Sequence, residues 1–122
     1  MKAYTNLKQS KKLAEILPIE SADMYYPYFG DNKWGETARF GKALEYSGEK
    51  DIPCWSLEAL LSLIKDECGY FEFVYLKRTS DGRANPLEDV YRLSTYVYDV
   101  YKKELVDACV TMIEKLYKQK LL

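Results

Sequence analysis

The chain has 122 residues, 48% hydrophobic and 30% charged, which are the proportions of a folded domain rather than a disordered or membrane-embedded segment. Its formal charge of -1 argues against a dedicated duplex-binding protein, which carries a strong basic excess. Histidine is absent, which excludes Ser-His and Cys-His nucleophile pairs and imidazole zinc sites.

The length fits one globular domain, residues 1–122. No apolar run is long enough to span a bilayer, and Met1 to Thr5 lead into a polar helix without a signal-peptide core. The expected location is therefore cytoplasmic, with no membrane partner. Cys54, Cys68 and Cys109 are odd in number and widely spaced, so reduced thiols are expected rather than a disulfide framework.

The first helix opens at Thr5 or Asn6. With Asn6 as cap, Gln9 stands where it can bond back, completing a capping box. Leu7, Ser10, Leu13, Ala14 and Leu17 share one side, Lys8, Lys11, Lys12 and Glu15 face water, and Pro18 ends the helix. Met24 to Phe29 has strand composition, and Pro27, which cannot donate to a ladder, places that strand at an edge. Gly30 to Gly35 reads as a turn. Ala38 to Tyr46 alternates moderately, as a strand does, with Phe40, Leu44 and Tyr46 on one side, Arg39, Ala43 and Glu45 on the other, and Gly41 as a candidate bulge.

The midpoint, Asp51 to Ile64, carries the densest helical pattern. Pro53 stiffens the entry, and Ser56 is the N-cap with Glu58 in the first turn. Trp55 and Leu60 stand at the two positions of a hydrophobic staple. Leu57, Leu60, Leu61, Leu63 and Ile64 make the buried side, and Gly69 marks the end.

Tyr70 to Lys77 is predicted as a central strand, because Phe71, Phe73 and Tyr75 point one way and Val74 and Leu76 the other. Asp81-Gly82 signals a turn, and Asn85-Pro86 can start a helical turn. Val90 to Tyr101 fits a helical stripe, yet its β-formers favour a strand, which is the reading adopted. Lys103 to Lys118 is the last helix, with Leu105, Val106, Cys109, Met112, Ile113, Leu116 and Tyr117 on its buried side. The expected fold is α+β in the order α-β-β-α-β-β-α, a mostly antiparallel sheet packed by helices on one face.

Three segments, LKQSKKLAEILPIESADMYY from Leu7, DIPCWSLEALL from Asp51 and VDACVTMIEKLYKQKLL from Val106, together resemble a group of small proteins of gut-bacterial genomes. Those proteins often lie beside bacteriophage or mobile-element genes. The resemblance implies an accessory protein of such an element and carries no catalytic residue. Tyr117 stands where that group has His, so no imidazole role at this position applies here.

No chemistry-bearing constellation emerges. Phosphate-binding glycine loops are absent, and three scattered thiols cannot build a zinc site. The carboxylate pairs Glu49 and Asp51, Asp66 and Glu67, and Glu88 and Asp89 fall in turns or helix ends, where solvated charge is routine. Cys54 beside Trp55 reads as a packed thiol, as does Cys109. We therefore expect no enzyme, no cofactor and no metal.

Twelve tyrosines make the remaining signal, since tyrosine offers both a large ring and a hydroxyl. Tyr25, Tyr26, Tyr28 and Trp34, with the basic stretch Lys77, Arg78 and Arg83, are the candidate binding residues. The leading expectation is a protein-interaction or regulatory module, with a protein partner or a second copy. The alternative is a single-stranded nucleic-acid binder, in which aromatic rings stack on bases.

Overall fold

The computed structural model describes residues 2–43, 45–46, 49–77 and 89–119, with the side chains of 45, 46 and 49 left aside. The fold is α+β with antiparallel sheets. The chain divides into two compact units, Ala3–Leu60 and Leu61–Leu122 with Met1–Lys2, the division falling inside a helix. Each is taken in turn.

The Ala3–Leu60 unit begins with α1, Leu7–Ala14. The capping box forms: Gln9 N–H donates to Asn6 Oδ1 at 2.8 Å, and Asn6 N–H to Gln9 Oε1 at 3.0 Å. Leu13 is fully buried, and a 3₁₀ turn at Ile19–Ser21 follows Pro18. The strands are β1 (Met24–Tyr26), β2 (Tyr28–Gly30), β3 (Lys33–Trp34), β4 (Arg39–Phe40), β5 (Glu45–Tyr46), β6 (Glu49–Lys50) and β7 (Ile52–Cys54). They form an antiparallel sheet β4-β1-β7 and two hairpins, β2-β3 and β5-β6.

Two expectations are corrected here. The single edge strand from Met24 to Phe29 is two strands, and the first of them is central, because Pro27 stands outside both. Lacking an N–H, Pro27 ends the ladder of β1; its carbonyl takes Gly35 N–H at 2.9 Å, and the chain moves to a new partner. Likewise Ala38 to Tyr46 is not one strand. Gly41 breaks it at φ +132, where an added Cβ would lie 3.3 Å from the Tyr25 ring. Phe40 is 78% exposed, and Leu44 lies outside the described residues.

The core of this unit gathers Met24, Tyr26, Ala38, Ile52 and Cys54, with Tyr4, Leu7 and Trp34 packed against it. A polar network threads it. Thr5 Oγ1 accepts Trp55 N–H at 3.2 Å and lies 2.7 Å from Ser10 Oγ, with both residues fully buried. Trp55 is fully buried too, and its Nε1 donates to Ser21 Oγ at 2.9 Å.

Helix α2, Leu57–Cys68, is capped as expected: Ala59 N–H donates to Ser56 Oγ at 3.1 Å. The cap is itself held, because Ser56 N–H and Oγ–H both donate to the Asp23 carboxylate. Leu60 and Ile64 are fully buried, and Gly69 at φ +72 closes the helix by donating to Lys65 O at 2.7 Å.

In the second unit β8 (Glu72–Leu76), β9 (Val90–Ser94) and β10 (Asp99–Lys102) form an antiparallel sheet in the order β10-β9-β8. The strand reading of Val90 to Tyr101 stands, with a reversal inside it. Thr95 makes that turn: its Oγ1 accepts Val97 and Tyr98 N–H, both at 3.2 Å. The expectation of a central strand at Tyr70 to Lys77 does not hold among the described residues. β8 is an edge and β9 is central, because the apolar pattern of β8 is aromatic and half-exposed while Leu93 of β9 is fully buried.

Helix α3, Leu105–Lys118, lies against β9 and β10. Leu105, Val106, Cys109, Met112, Ile113 and Leu116 are buried as predicted, with Ala108 and Val110 added. Tyr117 is a correction at 45% exposed, since it falls at the margin of the stripe. The Asp81-Gly82 and Asn85-Pro86 signals, with Arg78 and Arg83, lie outside the described residues. No described helix is long and apolar enough to cross a membrane.

Candidate binding site

The aromatic segment of the Ala3–Leu60 unit separates into two environments. Along β1, side chains alternate between faces. Tyr26 turns into the core at 3% exposure, where its hydroxyl donates to Thr5 O at 2.8 Å and its ring meets Tyr4 edge-on at 6.4 Å. Burial, then Cys54 and Tyr4 nearby, pushes the Tyr26 phenol well above its usual range. Tyr26 is a structural residue, and its expected place on a binding surface is withdrawn. Tyr25 is half-buried on the opposite face, beside Gly41.

Tyr28 and Trp34 come together across the β2-β3 hairpin. Asp31 and Asn32 supply the turn at φ 52 and 57, a left-handed backbone that these two residue types tolerate. The ring centroids are 5.3 Å apart. The corner is fixed from several sides. Tyr28 N–H donates to Asp51 Oδ1 at 3.0 Å, Asn32 N–H to the Tyr28 hydroxyl at 3.2 Å, and Trp34 Nε1 to Lys50 O at 3.1 Å. Lys11 reaches over from α1, its Nζ 4.4 Å from the Trp34 ring centre in cation–π geometry.

Beside this corner lies a groove of about 420 Å³. Ala14, Leu17, Ile19, Ile52 and Pro53 give it an apolar lining, and Lys11, Glu15, Lys50 and Asp51 supply the charges. That volume is within the range of ligand-binding clefts, and the mixture of apolar walls with a few polar groups is their usual composition. Lys11 and Lys50 escaped the sequence reading as site residues, and Asp51 reads there only as solvated turn charge. Lys11 counts as a solvated face of α1 by periodicity, and only the folding of α1, β3 and β6 together brings it to Trp34.

Burial bears on all three thiols. All three are free. Burial raises Cys54 most, its hydrogen bonds with Thr5 and Ser10 offsetting only part of that, and burial pushes Cys109 up to about 12. Cys68 is half-buried and also raised by burial. Among the described residues no three Cys, Asp or Glu side chains gather as a metal site requires. Lys77 follows β8 in the other unit and is exposed. No protein-family model matches the chain, and neither a curated protein nor a solved structure does.

Proposed function

We propose that the chain is a non-catalytic binding module that recognises a segment of a protein partner at the Tyr28–Trp34 corner and the adjoining groove. The observation that supports this most is the juxtaposition of a concave apolar surface with an indole ring and a lysine seated over it. Such a surface accepts an apolar side chain in the groove, while Lys11 and Lys50 attract a neighbouring acidic group. Aromatic residues with this mixture of ring area and polar edge dominate binding energy at protein interfaces. The absence of histidine and the raised thiols favour binding over catalysis. We take the setting from the three-segment resemblance: an accessory protein of a bacteriophage or mobile element, acting on a bacterial protein in the cytoplasm.

Selection from a random displayed-peptide library tests the reading. Enriched peptides should share an apolar residue next to Asp or Glu, and should shift the backbone amide signals of Ile52 and Trp34. Trp34→Ala and a Lys11→Glu, Lys50→Glu double variant should weaken binding tenfold or more, about 1.4 kcal/mol, with the fold unchanged. Failure to enrich any common sequence removes the proposal. Strongly salt-dependent binding of a labelled oligonucleotide, lost in Trp34→Ala, would instead move the assignment to single-stranded nucleic acid.

A further inference from the structure

The groove beside the Tyr28–Trp34 corner has a direction as well as a composition. One wall is α1 with the turn that follows it, and the other is the stretch from Lys50 to Pro53. Hydrogen bonds fix which ends of the walls lie together. At one end Trp34 joins them: Lys11 Nζ lies 4.4 Å from its ring centre, and its Nε1–H donates to Lys50 O at 3.1 Å. At the other end Trp55, just past Pro53, donates its Nε1–H to Ser21 Oγ, just past Ile19, at 2.9 Å. Both walls therefore run the same way, from a pair of lysines to Ile19 and Pro53. Ile19 is 45% exposed there, and Leu17 lies beside it. From Lys50 to Pro53 the distance is about 10 Å, at about 3.3 Å for each strand residue.

The two carboxylates in the lining do not cancel the basic end. Asp51 Oδ1 is occupied by Tyr28 N–H at 3.0 Å. Glu15 stands one helical turn beyond Lys11, toward the apolar end, while the Lys11 ammonium is turned onto the indole. Contact with a ring face still leaves a lysine N–H donors for an acceptor.

We propose, on the reading of the groove given above, that it takes its partner segment in one direction only. An acidic side chain lies between Lys11 and Lys50, and apolar side chains follow it toward Ile19 and Pro53. Trp34 sets both lysines in place, its ring holding the ammonium of one and its N–H the backbone of the other. An ammonium already held in this way loses less freedom when the ligand arrives. The reversed segment would carry its carboxylate past Glu15 to an apolar end and leave it unpaired, which is a cost that selects against it. Three to four extended residues, acidic first and apolar last, span the length.

The capped peptide Asp-Leu-Ala-Leu, with a nitroxide attached before Asp in one sample and after the last Leu in another, tests the direction by nuclear magnetic resonance on the full chain. The label before Asp should broaden the Trp34 indole and Lys50 amide signals most, and the label after Leu those of Ile19 and Ser21. Replacing the peptide's Asp by Asn should weaken binding about tenfold, and a Lys11→Met, Lys50→Met double variant should abolish that difference. Both labels broadening both ends alike, the opposite pattern, or equal binding of the Asp and Asn peptides overturns the direction while shifts at Ile52 and Trp34 keep the groove reading intact. Peptides, this one and library-selected ones alike, that shift no groove signal remove both. The label and Asn arms use the parent chain, so they decide even if the methionine variant does not fold.

Discussion

The two units solve the same problem of filling a small core by different means. In Ala3–Leu60 short strands enclose a network of Thr5, Ser10, Cys54, Trp55, Ser21, Asp23 and Ser56, where nearly every polar atom named above has a partner. In the other unit one helix buries eight residues, seven of them hydrocarbon or thioether side chains and the eighth the Cys109 thiol. Area burial is tolerant of small changes in geometry, whereas a buried hydroxyl left without its partner carries the full desolvation cost. The first unit is therefore the more specified of the two, and the second the more forgiving. Extended surface also differs: the first offers a fixed aromatic corner and a groove, the second a strand, β8, with one sheet neighbour among the described residues.

Trp55→Ala should give the largest effect. The ring is fully buried and its Nε1–H satisfies Ser21, so truncation leaves a large cavity. A loss of about 3–5 kcal/mol in chemical denaturation is expected; an unchanged melting temperature would break the view of Trp55 as an anchor. In the second unit Met112→Ala, also fully buried, should cost about 2–5 kcal/mol, nearer the lower figure if its flexible neighbours collapse into the space.

Alkaline pH probes the second unit through Cys109. Its folded pKa of about 12 exceeds the ordinary 9.0, so the folded chain holds that proton longer than the unfolded one. Stability from this group is fully present below pH 9.0, falls as pH rises, and is lost by about pH 12. The slope corresponds to a loss of up to about 4 kcal/mol across that window. Cys109→Ala should flatten it in a denaturation series, at some cost in baseline stability.

Thr5→Val separates the two kinds of core most directly. It preserves the side-chain shape but strands Trp55 N–H and Ser10 Oγ, and should cost about 1–3 kcal/mol. Faster amide exchange at Trp55 and Ser56 would locate the loss. Lys2→Ala sits at the bottom of the scale. Lys2 Nζ lies 2.8 Å from Asp107 Oδ1 with both side chains partly exposed, so the change should be no more than about 1 kcal/mol and should shrink in high salt.

Legibility along the chain followed the range over which each signal acts. The Asn6–Gln9 box, the Ser56 cap and the Gly69 ending are local, and each formed as read, whereas α1 ends at Ala14, ahead of the expected stop at Pro18. Edge and centre were misplaced at two strands. Pro27 was correctly seen as unable to donate, but β1 escapes the consequence by ending one residue earlier. The aromatic alternation of β8 looked two-sided and therefore buried, yet burial depends on what another element lays over the face. Of the expected site residues, Tyr28 and Trp34 share a corner, Tyr25 flanks Gly41 and Tyr26 is core. An alternating strand cannot show all its tyrosines to one partner.

The sequence by itself determined the α+β class, most caps and ends of the helices, the buried stripe of α3 and the packed placement of Cys54 and Cys109. Those follow from local backbone chemistry and from periodicity, which need no distant partner. Only the tertiary structure decided that β1 is central and, among the described residues, β8 an edge, that Lys11 meets Trp34, and that a groove opens beside them. The segments concerned are separated in sequence, and their meeting reflects packing between elements rather than a preference within any one of them.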